Sequence, residues 1–182
     1  MENNSAGIRI VVINGSVRPG NYTSMASALV VDELRKDPKI EGTKRLQQEV
    51  KDATAVILAT PEYHGSFSSV MKLVIENLGF PSVLAGKPVG LLGVAAGSVG
   101  AIKSLEQLRS VCSHIGALVL PLPISVPNIQ KVFDASGHPL DPAVDKLIRT
   151  AATNVMNYLH QNICPSVTLE RLLGNGVAAA GR

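Results

Sequence analysis

Short apolar runs alternate along the chain with segments whose apolar residues recur at helical spacing. Four runs are apolar on both faces and predict buried strands, at Ile8–Ile13, Ala53–Thr60, Lys87–Ala95 and Ala117–Leu122. Five segments have helical periodicity, at Tyr22–Lys36, Thr43–Asp52, Val70–Leu78, Ile102–Ile115 and Pro142–Leu159. Strands that alternate with helices predict a parallel sheet with helices on both faces, which is a doubly wound, three-layer α/β/α fold.

One part of the chain is shorter than this pattern requires. Between the first predicted helix and Ala53–Thr60 stands only KIEGTKRLQQEVKD, where a doubly wound fold usually has a further strand. Without that strand Ile8–Ile13 lies at a sheet edge, although its composition predicts full burial. Two interpretations are open. Either the chain lacks the second strand, or the sequence omits a stretch near Lys39–Gly42, and we favour the omission.

Composition narrows the class of protein. The 182 residues are 46% hydrophobic with a mean hydropathy of +0.23, which predicts one folded domain spanning residues 1–182. The sequence has neither a signal-peptide pattern nor an uninterrupted apolar run of membrane-spanning length, so we expect a cytoplasmic protein without membrane attachment. Cys112 and Cys164 lack the spacing of a metal or redox motif, so no metal site is predicted.

The charge pattern favours small anionic partners. The net charge is +3 and the isoelectric point is about 9.0. The basic residues are scattered and are not interleaved with aromatic residues, which disfavours nucleic acid as a partner. A mildly positive protein suits phosphorylated small molecules instead.

Three loops carry the candidate chemistry: NGSVRPGNYTS, TPEYHGSFS and AAGSVGA. Each follows the carboxyl end of a predicted strand. In open α/β sheets, ligands bind in the crevice outside those ends. The three loops therefore predict one site at one edge of the sheet.

The first loop has the properties of an anion cradle. Gly15 allows a sharp turn, and Arg18 adds a guanidinium suited to phosphate oxygens. Further donors precede or begin a helix, whose N-terminus favours negative charge: Ser16, Asn21, Tyr22 and Thr23. The alternative is an ordinary capped strand-to-helix turn with a solvated Arg18. The loop matches neither the GxGxxG nor the Walker pattern, which disfavours a classical dinucleotide or ATP site.

The second and third loops suit a flat ligand. The second loop contains a stiff Pro61, a permissive Gly65 and the flat side chains of Tyr63 and His64. Such a loop can lie along an aromatic ring and donate backbone hydrogen bonds to it. The alternatives are a surface His64 and a Glu62 that is solvated or paired across a subunit boundary. The third loop has small residues that admit a planar ligand, or form a simple connection: Gly97, Ser98 and Gly100.

Taken together, these loops resemble the NADPH-dependent FMN reductases, flavodoxin-like proteins that include chromate, azo and quinone reductases. The resemblance rests on GSVRPGNYTS, TPEYHGSFSSVMKLVIENL and AAGSVGAIKSLEQLRSVCSHIGA, in the family's order within Ile8–Leu122. It implies a flavodoxin-like fold, FMN as cofactor, NADPH or NADH as electron donor, and a small-molecule acceptor. It also implies a homodimer or homotetramer with Val70–Leu78 at the interface.

The resemblance also assigns roles to residues. The FMN phosphate would be held by Ser16, Arg18, Asn21, Tyr22 and Thr23. The flavin ring and ribityl chain would be lined by Pro61, Glu62, Tyr63, His64 and Gly65, and approached by Gly97, Ser98 and Gly100. The family often has Asn where His64 stands. Because the flavin carries the chemistry, no catalytic side chain is expected.

Two other functions fit the same fold. A flavodoxin-type electron carrier would hold FMN without oxidising a nicotinamide, but flavodoxins are usually acidic and flank the flavin with aromatic residues. A flavin-free binding module would have kept the fold and lost the cofactor. The sequence gives no preference between NADPH and NADH, and no preference among quinone, azo, metal-oxyanion and flavin acceptors.

Overall fold

The computed structural model describes residues 8–34 and 46–164. The helices in this part of the chain are α1 (Tyr22–Leu34), α2 (Leu46–Asp52), α3 (Ser69–Glu76), α4 (Ile102–His114) and α5 (Pro142–Tyr158). The strands are β1 (Ile10–Asn14), β2 (Ala55–Tyr63), β3 (Ser66–Phe67), β4 (Pro88–Val94), β5 (Leu118–Val119) and β6 (Ile124–Val126). A 3-10 turn at Ile129–Lys131 and a π-helical turn at Leu159–Ile163 complete them.

The main sheet is parallel, with the strand order β1-β2-β4-β5. Both β5 and β6 pair with β4. Strand β5 pairs with Pro88 and Val89 at the start of β4, and β6 pairs with Leu92–Val94 at its carboxyl end. Strand β3 pairs antiparallel with the end of β2. The predicted parallel α/β sheet is thus confirmed.

Helices cover both faces of this sheet. Side chains of β2 alternate between the two cores: Ile57 packs with α1 and α5, and Leu58 packs with α3 and α4. Both residues are fully buried, as is the rest of the Ala55–Ala59 run. A strand buried on both faces explains why the sequence shows an unbroken apolar run there instead of alternation.

Strand β1 is less buried than its composition predicts. Among its five residues only Ile13 is buried, and its strand neighbour within the described residues is β2 alone. The expectation of full burial is therefore wrong, because β1 lies at the edge of the described sheet. The connection between α1 and α2, residues 35–45, lies outside the described residues, and with it the predicted omission near Lys39–Gly42.

The fourth predicted strand is broken in two. The prediction covered Ala117–Leu122, but β5 ends at Val119 and pairing with β4 resumes only at Ile124. Pro121 and Pro123 have no N–H group to donate to a ladder, and Leu122 takes a positive φ of 59°. The three residues of β6 were not predicted.

The second predicted loop is also partly regular. Strand β2 continues through Pro61 and Glu62 to Tyr63, and then turns back as β3. The sequence-based end at Thr60 was too early, because PEY contains a proline and a charge that suggest a loop. The parts of the first two predicted helices beyond Leu34 and before Leu46 lie outside the described residues.

Helix α5 is stabilised by a side-chain cap at its start and by ion pairs of Arg149. Asp141 caps its start by accepting from the N–H of Ala143 at 2.8 Å, and Pro142 occupies the first turn. Arg149 joins α5 to α1, donating to Asp145 at 3.0 Å and to Asp32 at 2.6 Å. These carboxylates raise the pKa of Arg149, Asp32 first among them.

Candidate functional site

The loops predicted to form a site lie at one edge of the sheet. Because β1, β2 and β4 are parallel and in register, Asn14 stands beside Ala59, and Pro61 stands beside Val94. The chain leaves the sheet just beyond these positions in each strand. A fourth segment, Pro127–Lys131, follows β6 at the same edge and was not predicted.

The first loop is shaped by two asparagines. The side-chain oxygen of Asn14 accepts from the N–H of Ser16 at 3.0 Å, and its amide donates to the hydroxyl of Ser24. Asn21 caps α1 by accepting from the N–H of Ser24 at 2.7 Å, and its amide donates to the carbonyl oxygen of Arg18. The side chain of Asn21, predicted as a phosphate ligand, is therefore occupied in ordering the loop.

The start of α1 presents hydrogen-bond donors. Asn21 takes up the N–H groups of Ser24 and Met25, which leaves those of Tyr22 and Thr23 without a partner among the described residues. Arg18, in the loop before the helix, is exposed, while Thr23 is buried and 2% exposed. Two N–H groups, a helix N-terminus and a guanidinium together suit a phosphate.

Gly15 was predicted to allow a sharp turn, but the structure needs glycine there for close packing. Its φ lies outside the left-handed region, but a Cβ there would come within 2.9 Å of the Cβ of Met71 on α3. The left-handed residue in this loop is Gly20, with a φ of 61°. Gly15 thus allows the first loop to pack directly on α3.

Ser68 joins the first two loops. Its buried hydroxyl donates to the carbonyl oxygen of Gly15 and accepts from the N–H of Met71 at 3.1 Å, which caps α3. Its own N–H donates to the hydroxyl of Thr60 at 3.1 Å. Thr60 is fully buried, and its hydroxyl donates a hydrogen bond to the carbonyl oxygen of Pro61. This chain of bonds fixes the spacing between the two loops.

The second loop ends in a tight hairpin turn. Tyr63 pairs with Ser66, and the two residues between them, His64 and Gly65, have φ values of 51° and 74°. Positive φ at both central positions is the pattern of a type I′ turn, which favours Asn-Gly. A positive φ is uncommon outside glycine, but His, like Asn, is enriched there. The backbone conformation at this position thus accepts His64, as it would accept Asn.

Helix α4 holds this hairpin from one side. The carboxylate of Glu62 accepts from the N–H of Ser104 in the first turn of α4, at 3.4 Å. Gln107, one turn later, donates to the carbonyl oxygen of Gly65 at 3.0 Å and accepts from the hydroxyl of Ser66 at 2.7 Å. Glu62 is therefore partly buried and joins the end of β2 to the start of α4.

The third loop is tied to the fourth segment. The hydroxyl of Ser125 accepts from the N–H of Ala101 at 2.9 Å. The N–H of Asn128 donates to the carbonyl oxygen of Gly97 at 3.2 Å, and Gln130 donates to that of Ala96 at 3.1 Å. Gly97 and Ser98 are exposed, whereas Gly100 is buried with a φ of 77°. The positive φ at position 100 favours glycine there, whereas a Cβ on Gly97 would meet open space.

Apolar side chains stand exposed around these loops. Val17, Tyr63 and Val99 come from the first, second and third loops and are 79%, 54% and 72% exposed. Three exposed apolar groups at one polar edge suit a ligand with both a flat apolar part and an anionic part. A separate cavity of about 170 Å³ lies between α5 and the break after β5, lined by residues that include Leu122, Asn154 and Tyr158. It is small for a cofactor pocket.

The described part of the chain offers no second redox or metal centre. Burial raises the pKa of the Cys112 thiol to about 12, so it carries no thiolate near neutral pH. Within residues 8–34 and 46–164, no cluster of His, Cys, Asp or Glu is suited to a metal ion. In the same ranges, no helix combines the length and apolar character that a membrane crossing requires.

Comparison with known proteins decides the family. Residues 35–131, more than half of the chain, match the model of the family described as NADPH-dependent FMN reductase. The chain belongs to this family. Membership confirms the predicted resemblance, the oxidoreductase class, FMN as cofactor and a nicotinamide nucleotide as donor. The matched residues include the second and third loops and begin after the first.

Individual relatives agree with this assignment. An NAD(P)H-dependent FMN reductase of Pseudomonas aeruginosa is 27% identical over 169 residues, covering 80% of this chain and 91% of the relative. An NADPH azoreductase of a Bacillus species is 25% identical, covering 78% and 89%. A 2-hydroxy-1,4-benzoquinone reductase of a Burkholderia species is 26% identical, covering 60% and 62%.

Solved structures share the fold. A flavoenzyme NAD(P)H:(acceptor) oxidoreductase from Paracoccus denitrificans superimposes with a TM-score of 0.69 at 18% identity, covering 85% of this chain and 98% of that one. A flavodoxin of Streptococcus pneumoniae superimposes with a TM-score of 0.58 at 18% identity, covering 82% and 97%. The predicted flavodoxin-like fold is confirmed.

The residues present fit FMN. The start of α1 and Arg18 suit its terminal phosphate, and the space around Gly97 admits a ring close to the backbone. The unpartnered N–H groups and the exposed apolar side chains of the three loops lie at the same sheet edge.

Proposed function

We propose that the chain is an NAD(P)H oxidoreductase whose FMN lies across the first three loops. The phosphate is bound by the N–H groups of Tyr22 and Thr23 and by Arg18, with Ser16 beside them. The flavin ring and ribityl chain lie against Pro61–Gly65 and against Gly97, Ser98 and Gly100. The observation that carries this proposal is the pair of open N–H groups at the start of α1, which follows the loop that carries the exposed Arg18.

The side chains around the ring bind and position, and none is required to move a proton. When bound, FMN would supply the hydride chemistry between the nicotinamide and the acceptor, which would bind in turn in a ping-pong sequence. Glu62 and Asn21 order the backbone through their hydrogen bonds to Ser104, Ser24 and Arg18. His64 sets the turn through its left-handed backbone.

The acceptor is a small oxidant that reaches an open ring face. The loops present exposed Val17, Tyr63 and Val99, which suits flat organic acceptors such as quinones and azo compounds. The azoreductase and benzoquinone reductase relatives support this class. Metal oxyanions and free flavin are the other acceptors in the proposal.

The protein is proposed to act in the cytoplasm as a single-domain homodimer or homotetramer. Helix α3 exposes Leu73, which is 60% exposed, and the following turn exposes Phe80, which is 99% exposed. Such apolar groups suit an interface. Sedimentation of wild type and of Leu73→Glu tests this, with Leu147→Glu on α5 as control. A monomeric wild type contradicts it.

Anaerobic half-reactions test the proposed chemistry. Protein loaded with FMN and desalted is mixed with NADPH or NADH, freed of nucleotide, and then mixed with a benzoquinone. We expect the flavin absorbance to bleach with the first reagent and to return with the second. Bound flavin that stays oxidised with both nucleotides would instead support an electron carrier, and retention of no flavin would support a flavin-free module.

A further inference from the structure

Gln107 is the one α4 side chain that uses both ends of its amide on the hairpin. Its nitrogen donates to the carbonyl oxygen of Gly65 at 3.0 Å, and its oxygen accepts from the hydroxyl of Ser66 at 2.7 Å. One partner only accepts and the other donates, so the orientation of the amide is determined. No family feature named above assigns this residue a role.

These bonds hold the His64–Gly65 turn, which has few other hydrogen bonds. His64 and Gly65 both have positive φ, and the backbone N–H groups of these two residues have no partner among the described residues. The opposing strand β3 has only two residues, Ser66 and Phe67, so ladder pairing contributes little to holding the tip. The two hydrogen bonds of Gln107 join this turn to α4 through Gly65 and Ser66.

Gln107 also connects two loops of the site. It lies one helical turn after Ser104, whose N–H donates to the carboxylate of Glu62. The third loop ends where α4 begins, about two turns before Gln107. A shift of the hairpin relative to α4 would therefore change the gap between the second and third loops. In the proposed function that gap holds the flavin.

We propose that Gln107 is a positioning residue for FMN, because it fixes the Tyr63–Ser66 turn and its two open N–H groups against α4. This inference rests on the proposed FMN site. Gln107 is exposed, so its bonds compete with water and each makes a modest net contribution. The expected loss is therefore in flavin affinity and potential, with little loss of stability.

Two substitutions and a matched control test the proposal. Gln107→Ala removes both bonds. Gln107→Glu keeps the length but places an oxygen against the carbonyl oxygen of Gly65. Gln47→Ala is the control, because Gln47 is also exposed and donates to a backbone carbonyl oxygen, that of Asn77, at 2.6 Å and at the far end of α3. All three are compared with wild type.

We expect the FMN dissociation constant to rise about fivefold in Gln107→Ala and at least as much in Gln107→Glu. The midpoint potential of bound FMN should become more negative, since N–H donors stabilise the extra charge of the reduced ring. Neither quantity should change in Gln47→Ala, and the melting temperatures of all apoproteins should be similar. Unchanged affinity and potential in both Gln107 variants would overturn the proposal.

Hydrogen exchange of the apoprotein separates this proposal from the function it rests on. Without FMN, the amide of Ser66, which pairs with Tyr63 at the base of the turn, should exchange faster in Gln107→Ala than in wild type. Equal exchange would overturn the positioning role even if wild type binds FMN. If wild type binds no FMN, the proposed function fails, and the exchange rates still decide whether Gln107 orders the turn.

Discussion

The hydroxyl of Ser68 donates a hydrogen bond to the carbonyl oxygen of Gly15, joining the loops that follow two neighbouring strands. The same hydroxyl caps α3 through the N–H of Met71. One buried atom thus sets the separation between the proposed phosphate loop and the proposed flavin loop. This arrangement makes the site depend on a residue that need not touch the cofactor.

Replacing Ser68 by Ala should weaken both stability and flavin binding. The change leaves a buried carbonyl oxygen and an N–H group unpaired, which costs about 2 kcal/mol of unfolding free energy. The neighbouring Ser69→Ala is the control, because Ser69 is exposed. Chemical denaturation and FMN titration measure the two effects. Equal stability of the two variants would show that the Ser68 bonds contribute nothing.

Replacing Arg18 by Ala should reduce FMN affinity by about tenfold, because a charge-assisted bond to phosphate is lost. Riboflavin lacks the phosphate, so its affinity should not change. Lys146→Ala removes an equal charge on α5 and serves as control. Titration of each protein with both flavins measures this. An Arg18→Ala variant that binds FMN as tightly as wild type would remove Arg18 from the site.

Gly93 in β4 and Gly97 in the third loop should respond differently to substitution by alanine. A Cβ on Gly93 would lie 2.6 Å from Ala101 and 2.9 Å from Leu105, so Gly93→Ala should destabilise the fold by about 2 kcal/mol. A Cβ on Gly97 meets nothing within 4 Å, so Gly97→Ala should leave apoprotein stability unchanged. If the flavin approaches Gly97, that variant should still lose FMN affinity. Intact affinity would contradict a flavin at the third loop.

Cys112 should be inert at neutral pH and should lower stability at high pH. Its pKa is raised by burial to about 12 from a reference value of 9.0. Its contribution is fully present below pH 9 and is lost as pH rises toward 12, since only the unfolded thiol ionises in that window. Wild type should therefore lose stability faster than Cys112→Ala over this range. In a Cys164→Ser background, rapid alkylation of the native protein at pH 7 would refute the burial.

The fold was largely predictable because its strands are apolar on both faces. The runs at Ala53–Thr60 and Lys87–Ala95 could only be central strands, and the structure places β2 and β4 there. The predicted burial was wrong for the first strand, whose apolar composition does not match its position in the sheet. Ile8–Ile13 has the composition of a central strand, yet β1 lies at the edge of the described sheet.

Two further errors arose where proline interrupts a run. Pro61 suggested that β2 ended early, but the strand continues to Tyr63 because the hairpin partner β3 supports it. Pro121 and Pro123 concealed that the chain returns to β4 as β6. Proline signals a missing donor, and whether a strand survives it depends on neighbours that the local sequence does not contain.

The site was predictable as a set of loops but not as a set of contacts. Loop composition after parallel strands was enough to place Arg18, Tyr63 and Gly97 at one edge. Asn14, Gln107 and Ser125 were missed, because their roles depend on partners 10, 42 and 24 residues away. The Asn21 side chain stays a predicted phosphate ligand, and its bonds that cap the helix and order the loop were not predicted.

The most direct test of the account follows backbone amide resonances of the apoprotein during FMN titration. We predict that the largest shifts fall at Ser16–Thr23, Glu62–Gly65 and Gly97–Gly100, all saturating with one dissociation constant. Shifts centred on the separate cavity near Leu122 and Asn154, or no shifts at saturating FMN, would contradict a flavin site built from the three loops.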